Sequence, residues 1–204
     1  MNINQTDITN IETAISQKAT IKIWDNPLLK DFKKKVKKYF RSINDECCYC
    51  KKNFTGEFNM VIDIEHILPK SKFENLMFTI FNLNIACKRC NMNVKNENID
   101  FLVDLSLVKT SPEDPSLYKF IHPNFDIYDE HIDYLVNINS QKKVIKFLIV
   151  GDSAKGKFTY DYFKLNELEI DTINQAQGVK KKEELSDKIP PDMAKKLENI
   201  FKQL

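Results

Sequence analysis

Residues 47–50 read Cys-Cys-Tyr-Cys, residues 63–69 read Asp-Ile-Glu-His-Ile-Leu-Pro, and residues 82–91 read Asn-Leu-Asn-Ile-Ala-Cys-Lys-Arg-Cys-Asn. Two Cys-x-x-Cys pairs, Cys47 with Cys50 and Cys87 with Cys90, bracket an acidic residue followed by a histidine, and Asn91 directly follows the last cysteine. Structural zinc takes four ligands in a tetrahedron, and two such turns supply four thiolates. A single pair could equally be a redox couple; the second pair turns the reading to metal. The chain has five cysteines, and the register of the pairs sends the spare, Cys48, into the core.

Zinc saturated by thiolates keeps no open position and does no chemistry. Glu65-His66 offers a separate constellation. An imidazole titrates near neutral pH and suits the deprotonation of a water attacking a phosphodiester. A carboxylate beside it can hold a divalent ion against the scissile phosphate. An acid next to a histidine is common by chance, but this chain has only three histidines and His66 lies inside the cysteine bracket. Residues 87–98 read as a helix, on which Asn91 lies about a hundred degrees round from Cys90. Zinc would fix that helix while Asn91 faces Glu65 and His66. Lys95 falls one turn beyond Asn91, within reach of a phosphate, and Lys88 and Arg89 are further candidates for nucleic-acid contact.

Together these pieces resemble the HNH endonuclease family with the ββα-metal fold: Cys47-x-x-Cys50, Asp63-x-Glu65-His66-Ile67-x-Pro69, Asn82-Leu83 and Cys87-x-x-Cys90-Asn91. The resemblance implies that His66 is the general base at the end of the first strand and that Asn82 orients its ring. It also implies that Glu65 and Asn91 hold a catalytic Mg2+ or Mn2+, while Cys47, Cys50, Cys87 and Cys90 hold structural Zn2+. Asp63 matches an acidic position of some members. Two departures stand out. Glu65 replaces a common aspartate, and the family's lysine, usually three residues after the final asparagine, is here Val94, with Lys95 one later. A lysine-bearing N-terminal helix, Cys-x-Tyr-Cys, Glu-His-x-x-Pro-Lys-Ser and Cys-Lys-Arg-Cys-Asn resemble, more narrowly, the HNH subunits of bacterial anti-phage systems of the Septu and retron-associated kinds. That narrower resemblance implies a partner, an ABC-type ATPase.

Upstream, residues 1–20 are polar and read as a loose start or a short helix. Asp25-Asn26-Pro27 reads as a helix entry, and Leu29, Phe32, Val36, Phe40 and Ile43 follow at spacings of three and four, one apolar stripe. Seven basic residues between Lys30 and Arg41 occupy the other faces. They are either a solvated surface or, as for Lys34 and Lys38, a patch for phosphates. Downstream, Tyr134–Ile138 and Val144–Val150 read as a hairpin and Lys157–Tyr162 as a third strand. From Leu165 the pattern turns helical, broken at Gly178 and Pro190-Pro191, with a stripe of Met193, Leu197, Ile200 and Leu204. His122 and His131, among Asp126, Asp129 and Glu130, read as acidic loops rather than a second metal site.

The 204 residues are 42% apolar and 29% charged with a net charge of +2, an ordinary globular balance that by itself says nothing about nucleic acid. No apolar run reaches membrane-span length and the N-terminus has no secretory pattern, so a cytoplasmic location is expected, where paired cysteines bind metal rather than cross-link. The expected fold is α+β: an N-terminal helical extension over 1–45, the HNH core over 46–100 and a strand and helix extension over 101–204, together one compact unit. The expected function is metal-dependent endonucleolytic cleavage of DNA in anti-phage defence. Alternatives are the same chemistry on RNA, and a non-catalytic zinc module that binds nucleic acid or protein.

Overall fold

The structure, a computed structural model, describes residues 1–139 and 143–171. The breaks at Gly178 and Pro190-Pro191 and the stripe from Met193 to Leu204 lie outside the described residues. The chain groups into two compact units, one of residues 1–135 and 146–169, the other of residues 136–145 and those from 170 onward. Helices and strands mix as an α+β fold.

The polar N-terminus forms a true helix, α1 (Gln5–Ser16), because Asn4 and Asp7 close a reciprocal capping box over its first turn. The entry expected at Asp25-Asn26-Pro27 is built in two steps. The Asn26 side chain accepts from the Leu28 N–H to cap a 3-10 turn, Pro27–Leu29, which runs on into α2 (Lys30–Ile43). Leu29, Phe32, Val36 and Phe40 are buried as the periodicity demands, while Ile43 at the end of the stripe stays exposed. Several of the α2 cations act as staples. The Lys37 ammonium donates to the carbonyls of Asn59 and Ile62, and the Arg41 guanidinium pairs with Asp45 through both arms and reaches the Phe54 and Glu57 carbonyls. Lys34 and Lys38 remain exposed.

The centre is an antiparallel pair, β1 (Ile62–His66) and β2 (Leu83–Cys87), in which Glu65 faces Asn84 and His66 faces Leu83. β1 ends at His66. The expected helix over 87–98 is corrected: β2 holds Cys87, and the segment that follows, Arg89–Lys95, is a π-helix. The Asn96 N–H donates to the Asn91 carbonyl, a five-residue step, at 2.8 Å.

Beyond the centre, a short helix α3 (Leu105–Thr110) is capped by Asp104. Strands β3 (Ile132–Ile138), β4 (Lys143–Ile149) and β5 (Ile170–Asp171) form a sheet in that order, which contains the expected hairpin. The third strand expected over Lys157–Tyr162 is instead helix α4 (Ala154–Tyr162). Its aromatic content suggests a strand, but the Ser153 hydroxyl caps the Gly156 N–H. Phe158 and Tyr162, four apart, stack at 5.4 Å on one face, and Thr159 and Phe163, four apart, are buried on another. Gly156 is required there, because a Cβ would lie 2.4 Å from the His131 carbonyl oxygen. This region supplies an aromatic layer under the first cysteine turn, where Tyr49 stacks on Phe163 at 4.1 Å and Phe101 on Phe120 at 4.3 Å. Asn124 clasps the start of β2, donating to the Phe81 and Leu83 carbonyls and accepting from the Asn84 amide.

Candidate active site

The four paired cysteines are buried and their sulfur atoms all lie within 4.8 Å of one another. Cys50 and Cys87 approach to 3.7 Å, close to the edge of about 3.8 Å that a tetrahedron with Zn–S bonds of about 2.3 Å requires. The cluster therefore fits a structural zinc site. The first turn closes with Lys51 in the left-handed region at φ 57°, its N–H donating to the Cys47 carbonyl at 3.0 Å. Cys48 is half-buried, and its N–H ties the turn to β2 through the Ile85 carbonyl.

His66 stands at the end of β1, 6% exposed, with the Trp24 ring edge-on at 4.4 Å. Its Nε2 lies 3.1 Å from the Met77 carbonyl oxygen. A carbonyl can only accept, so Nε2 carries the proton and Nδ1 keeps the lone pair. Burial, reinforced by the nearby Lys70 charge, lowers the imidazole pKa from 6.5 to about 3. The ring is thus neutral, in the form a general base needs.

Glu65 is fully buried. Its Oε1 accepts from Lys95 Nζ at 2.7 Å and from the Tyr49 hydroxyl at 3.1 Å. Its Oε2 is buried with no partner among the described residues. Burial pushes the carboxyl pKa up, against the opposing pull of Lys95 and Tyr49. Asn91, half-buried, donates from Nδ2 to Asp63 Oδ2 at 3.0 Å. A carboxylate can only accept, which fixes Nδ2 as the anchored atom and leaves Oδ1 as the acceptor. His66, Glu65 and Asn91 therefore share a pattern in which one polar atom is anchored and the other is left unanchored. A buried carboxylate oxygen without a donor and an amide carbonyl are each oxygen ligands of the kind a hard divalent cation takes.

Asn82 does not touch the imidazole. Its Oδ1 accepts from the Leu68 N–H at 2.6 Å and its Nδ2 donates to the Leu68 and Leu76 carbonyls, so it pins the loop behind His66 while Met77 orients the ring. The basic residues divide. Lys95 is 1% exposed and spent on Glu65 and the His66 carbonyl, so it offers no charge to a phosphate. Arg89 is likewise committed, clamping the Phe163 and Lys164 carbonyls and the Glu167 carboxylate. Lys88 keeps 55% of its side chain exposed although it lies 3.2 Å from Asp63 Oδ1.

A concavity of about 260 Å³ opens beside His66 and Asn91, lined by Ile64 and His66 of β1, Pro69 and Lys70 after it, and Asn91, Met92, Asn96 and Glu97 around the π-helix end; Glu65, which alternates with Ile64 and His66 along β1, is not among its lining residues. Sequence reasoning missed Lys70 as a site residue, although it stands in the Pro69-Lys70-Ser71 run. It had no signal for the Met77 carbonyl, because a main-chain acceptor leaves no residue type to read. The lone tryptophan, Trp24, was the one visible hint of a packed ring.

Residues 47–97 match the HNH endonuclease family model, so the resemblance seen in the motifs is borne out over that segment. The chain is 29% identical over 126 residues to a curated relative, the Septu protein PtuB of Bacillus thuringiensis, across 62% of this chain and 38% of that protein. The match thus spans well under half of the relative's length. No solved structure matches the chain. Among the described residues, no helix is long and apolar enough to cross a membrane.

Proposed function

We propose that this chain is a metal-dependent endonuclease that hydrolyses phosphodiester bonds in DNA as the nuclease effector of a bacterial anti-phage system, in the cytoplasm, alongside an ABC-type ATPase. The chemistry is supported by the match of residues 47–97 to the HNH family, the defence role by the likeness to a Septu protein. The observation that carries the reading is the His66 ring, held neutral with Nε2 on the Met77 carbonyl and Nδ1 unanchored in a concavity shared with Asn91.

On this reading Glu65 and Asn91 hold Mg2+ or Mn2+, which when bound neutralises charge developing at the scissile phosphate. His66 Nδ1 takes the proton from the attacking water, and the Met77 carbonyl steadies the imidazolium that results by keeping the Nε2–H bond. Lys70 and Lys88, the basic groups at the site with charge to offer, approach the phosphates on either side. Zinc held by Cys47, Cys50, Cys87 and Cys90 would take no part in the reaction and would tie β2 and the π-helix to the first cysteine turn.

The decisive measurement is plasmid nicking by wild type and His66→Ala with Mg2+ or Mn2+, with and without chelator, at matched zinc content and melting temperature. A positioned base contributes about 10²–10⁴-fold, and a loss of that size is expected. Equal rates would remove His66 from the chemistry. A parallel arm with RNA, and both arms with the ATPase added, decide the substrate.

A further inference from the structure

The segment that matches the HNH family begins at residue 47, yet the His66 ring rests on residues that precede it. Trp24, in the 3-10 turn Ile23–Asp25, sets its ring 4.4 Å from the imidazole with the two planes 82° apart. Trp24 is itself held from several directions. The Lys33 ammonium of α2 donates to the Trp24 carbonyl and lies 5.0 Å from the centre of its ring, while Phe32 and Phe78 pack against the indole at 6.4 and 6.1 Å. Met77, whose carbonyl accepts from His66 Nε2, belongs to the same apolar cluster. Its side chain is buried with Ala14 of α1, Ile23 and Leu29, and Ile11, Trp24 and Phe78 pack against that group. An exposed ion pair, Lys18 to Glu74 at 2.9 Å, ties the N-terminal residues to the same loop. One cluster built on the N-terminal residues thus carries both the acceptor that holds Nε2 and the aromatic wall beside the ring.

We propose that Trp24 is a positioning residue for His66, which makes the N-terminal helical segment, outside the HNH-matching residues, part of the apparatus that aims the base. The inference rests on the reading above, in which His66 is that base. A single hydrogen bond from Nε2 fixes one point of the ring and leaves it free to swing about that point. A half-turn about the Cβ–Cγ bond would bring a ring carbon to the Met77 carbonyl and carry Nδ1 away from its place. Aromatic rings in contact have preferred relative orientations, and a pair of this kind favours one arrangement by about 2–10-fold. Trp24 therefore opposes the motions that the Met77 bond alone permits. The gain at the reacting atom can be larger than the gain in population, because a displacement of about 1 Å costs about 10²-fold in rate.

The test is plasmid nicking by the full chain with kcat and KM separated, joined to nitrogen-15 spectra of the histidine rings, with zinc content and melting temperature measured for every variant. Trp24→Leu keeps apolar bulk and removes the ring. Its kcat should fall about 10–100-fold with KM unchanged, and Trp24→Phe, which restores a ring, should recover most of the loss. Lys33→Met, which releases Trp24 without altering the indole, should show the same signature at smaller size, and it carries the test should Trp24→Leu fail to fold. The spectra give a readout independent of turnover. At about pH 8, above the ordinary imidazole range, wild-type His66, identified by its loss in His66→Ala, should be protonated at Nε2 alone, and Trp24→Leu should show a mixture of the two tautomers. Wild-type kcat in the folded variant overturns the inference. So does a kcat loss with the His66 tautomer unchanged, which would place the effect elsewhere in the core, and so does a rise in KM at unchanged kcat, which would make Trp24 a contact to the substrate. His66→Ala separates the two levels of the reading. If it is inactive while Trp24→Leu is not, the positioning role alone falls; if it nicks as wild type does, the base assignment and the positioning role fall together.

Discussion

Breaking the Glu65–Lys95 pair at one partner should be among the costliest single changes in the core, and a double-mutant cycle measures the coupling between the two. Lys95 Nζ and Glu65 Oε1 lie 2.7 Å apart, with side chains 1% and 0% exposed. Breaking a buried pair by removing one partner leaves an uncompensated charge and costs about 3–5 kcal/mol. Lys95→Met strands the carboxylate with only the Tyr49 hydroxyl, and Glu65→Gln leaves the ammonium on neutral acceptors, so each single variant should fall in that range. For a chain of this size about 1 kcal/mol shifts the melting temperature by roughly 2–4 °C, so each should melt roughly 6–20 °C lower. The double variant Glu65→Gln/Lys95→Met buries no charge at this point, and its loss should be smaller than the sum of the singles by at least about 2 kcal/mol, within the range seen for contacting residues. The assay is denaturant unfolding at saturating zinc, because loss of the metal would itself unfold the core. Additive losses, or a Lys95→Met cost below about 1 kcal/mol, the level of an exposed pair, would refute the buried pairing.

Two further outcomes follow from the placement of charge. His66 and His122 are both buried, and burial lowers each imidazole pKa from 6.5 to about 3. The unfolded chain binds a proton at each below about 6.5 while the folded chain does not until about 3, so stability is complete above that window and falls as pH drops through it. The fall should be about 1.4 kcal/mol per pH unit per histidine. Unfolding midpoints between pH 7 and 4 should show it, and His122→Asn, which can still accept from the Asn124 N–H in place of the imidazole Nδ1, should flatten it by one proton; an unchanged slope would exclude His122 as a source. The basic residues should separate by salt. Lys34→Ala and Lys38→Ala should each lower the log–log salt slope of DNA binding by about 0.9 if they meet phosphates, whereas Arg89→Ala, which unclamps residues 163–167, should lower stability and leave the slope alone.

The four-cysteine cluster was legible because thiol spacing is carried by residue identity, and the strand ending at His66 came through the resemblance to the HNH family. What was hidden lay in partners. Asn82 reads as a residue that orients an imidazole, yet its amide spends its bonds on Leu68 and Leu76, and the ring is held by a main-chain carbonyl that no residue type marks. Lys95 and Arg89 read as phosphate contacts because a cation beside a nuclease motif suggests nothing else. Only the fold reveals a buried carboxylate for one and three acceptors around residues 163–167 for the other. The strand misread over Lys157–Tyr162 has a similar cause. Aromatic residues favour either element, and the deciding facts are the Ser153 cap and the close pass of Gly156 over His131.

The displaced lysine shows how a local irregularity can preserve a site. Where the family places its lysine three residues after the final asparagine, this chain has Val94, and an ordinary α-helix would carry Lys95 round past the same direction. A π-turn takes one more residue per turn. The five-residue bond from Asn96 to Asn91 shows that the turn is of this kind, so the extra residue is absorbed between Asn91 and Lys95. Asn91 keeps its amide on Asp63 while Lys95 still reaches Glu65 and the His66 carbonyl. The backbone then leaves the segment at Asn96 with φ 48° and ψ −127°, a positive-φ conformation outside the left-handed helical region and one that favours glycine. One departure from an α-helix thus accounts for both the offset in the motif and the burial of its lysine, and it makes that lysine a brace beneath the site rather than a hand on the substrate.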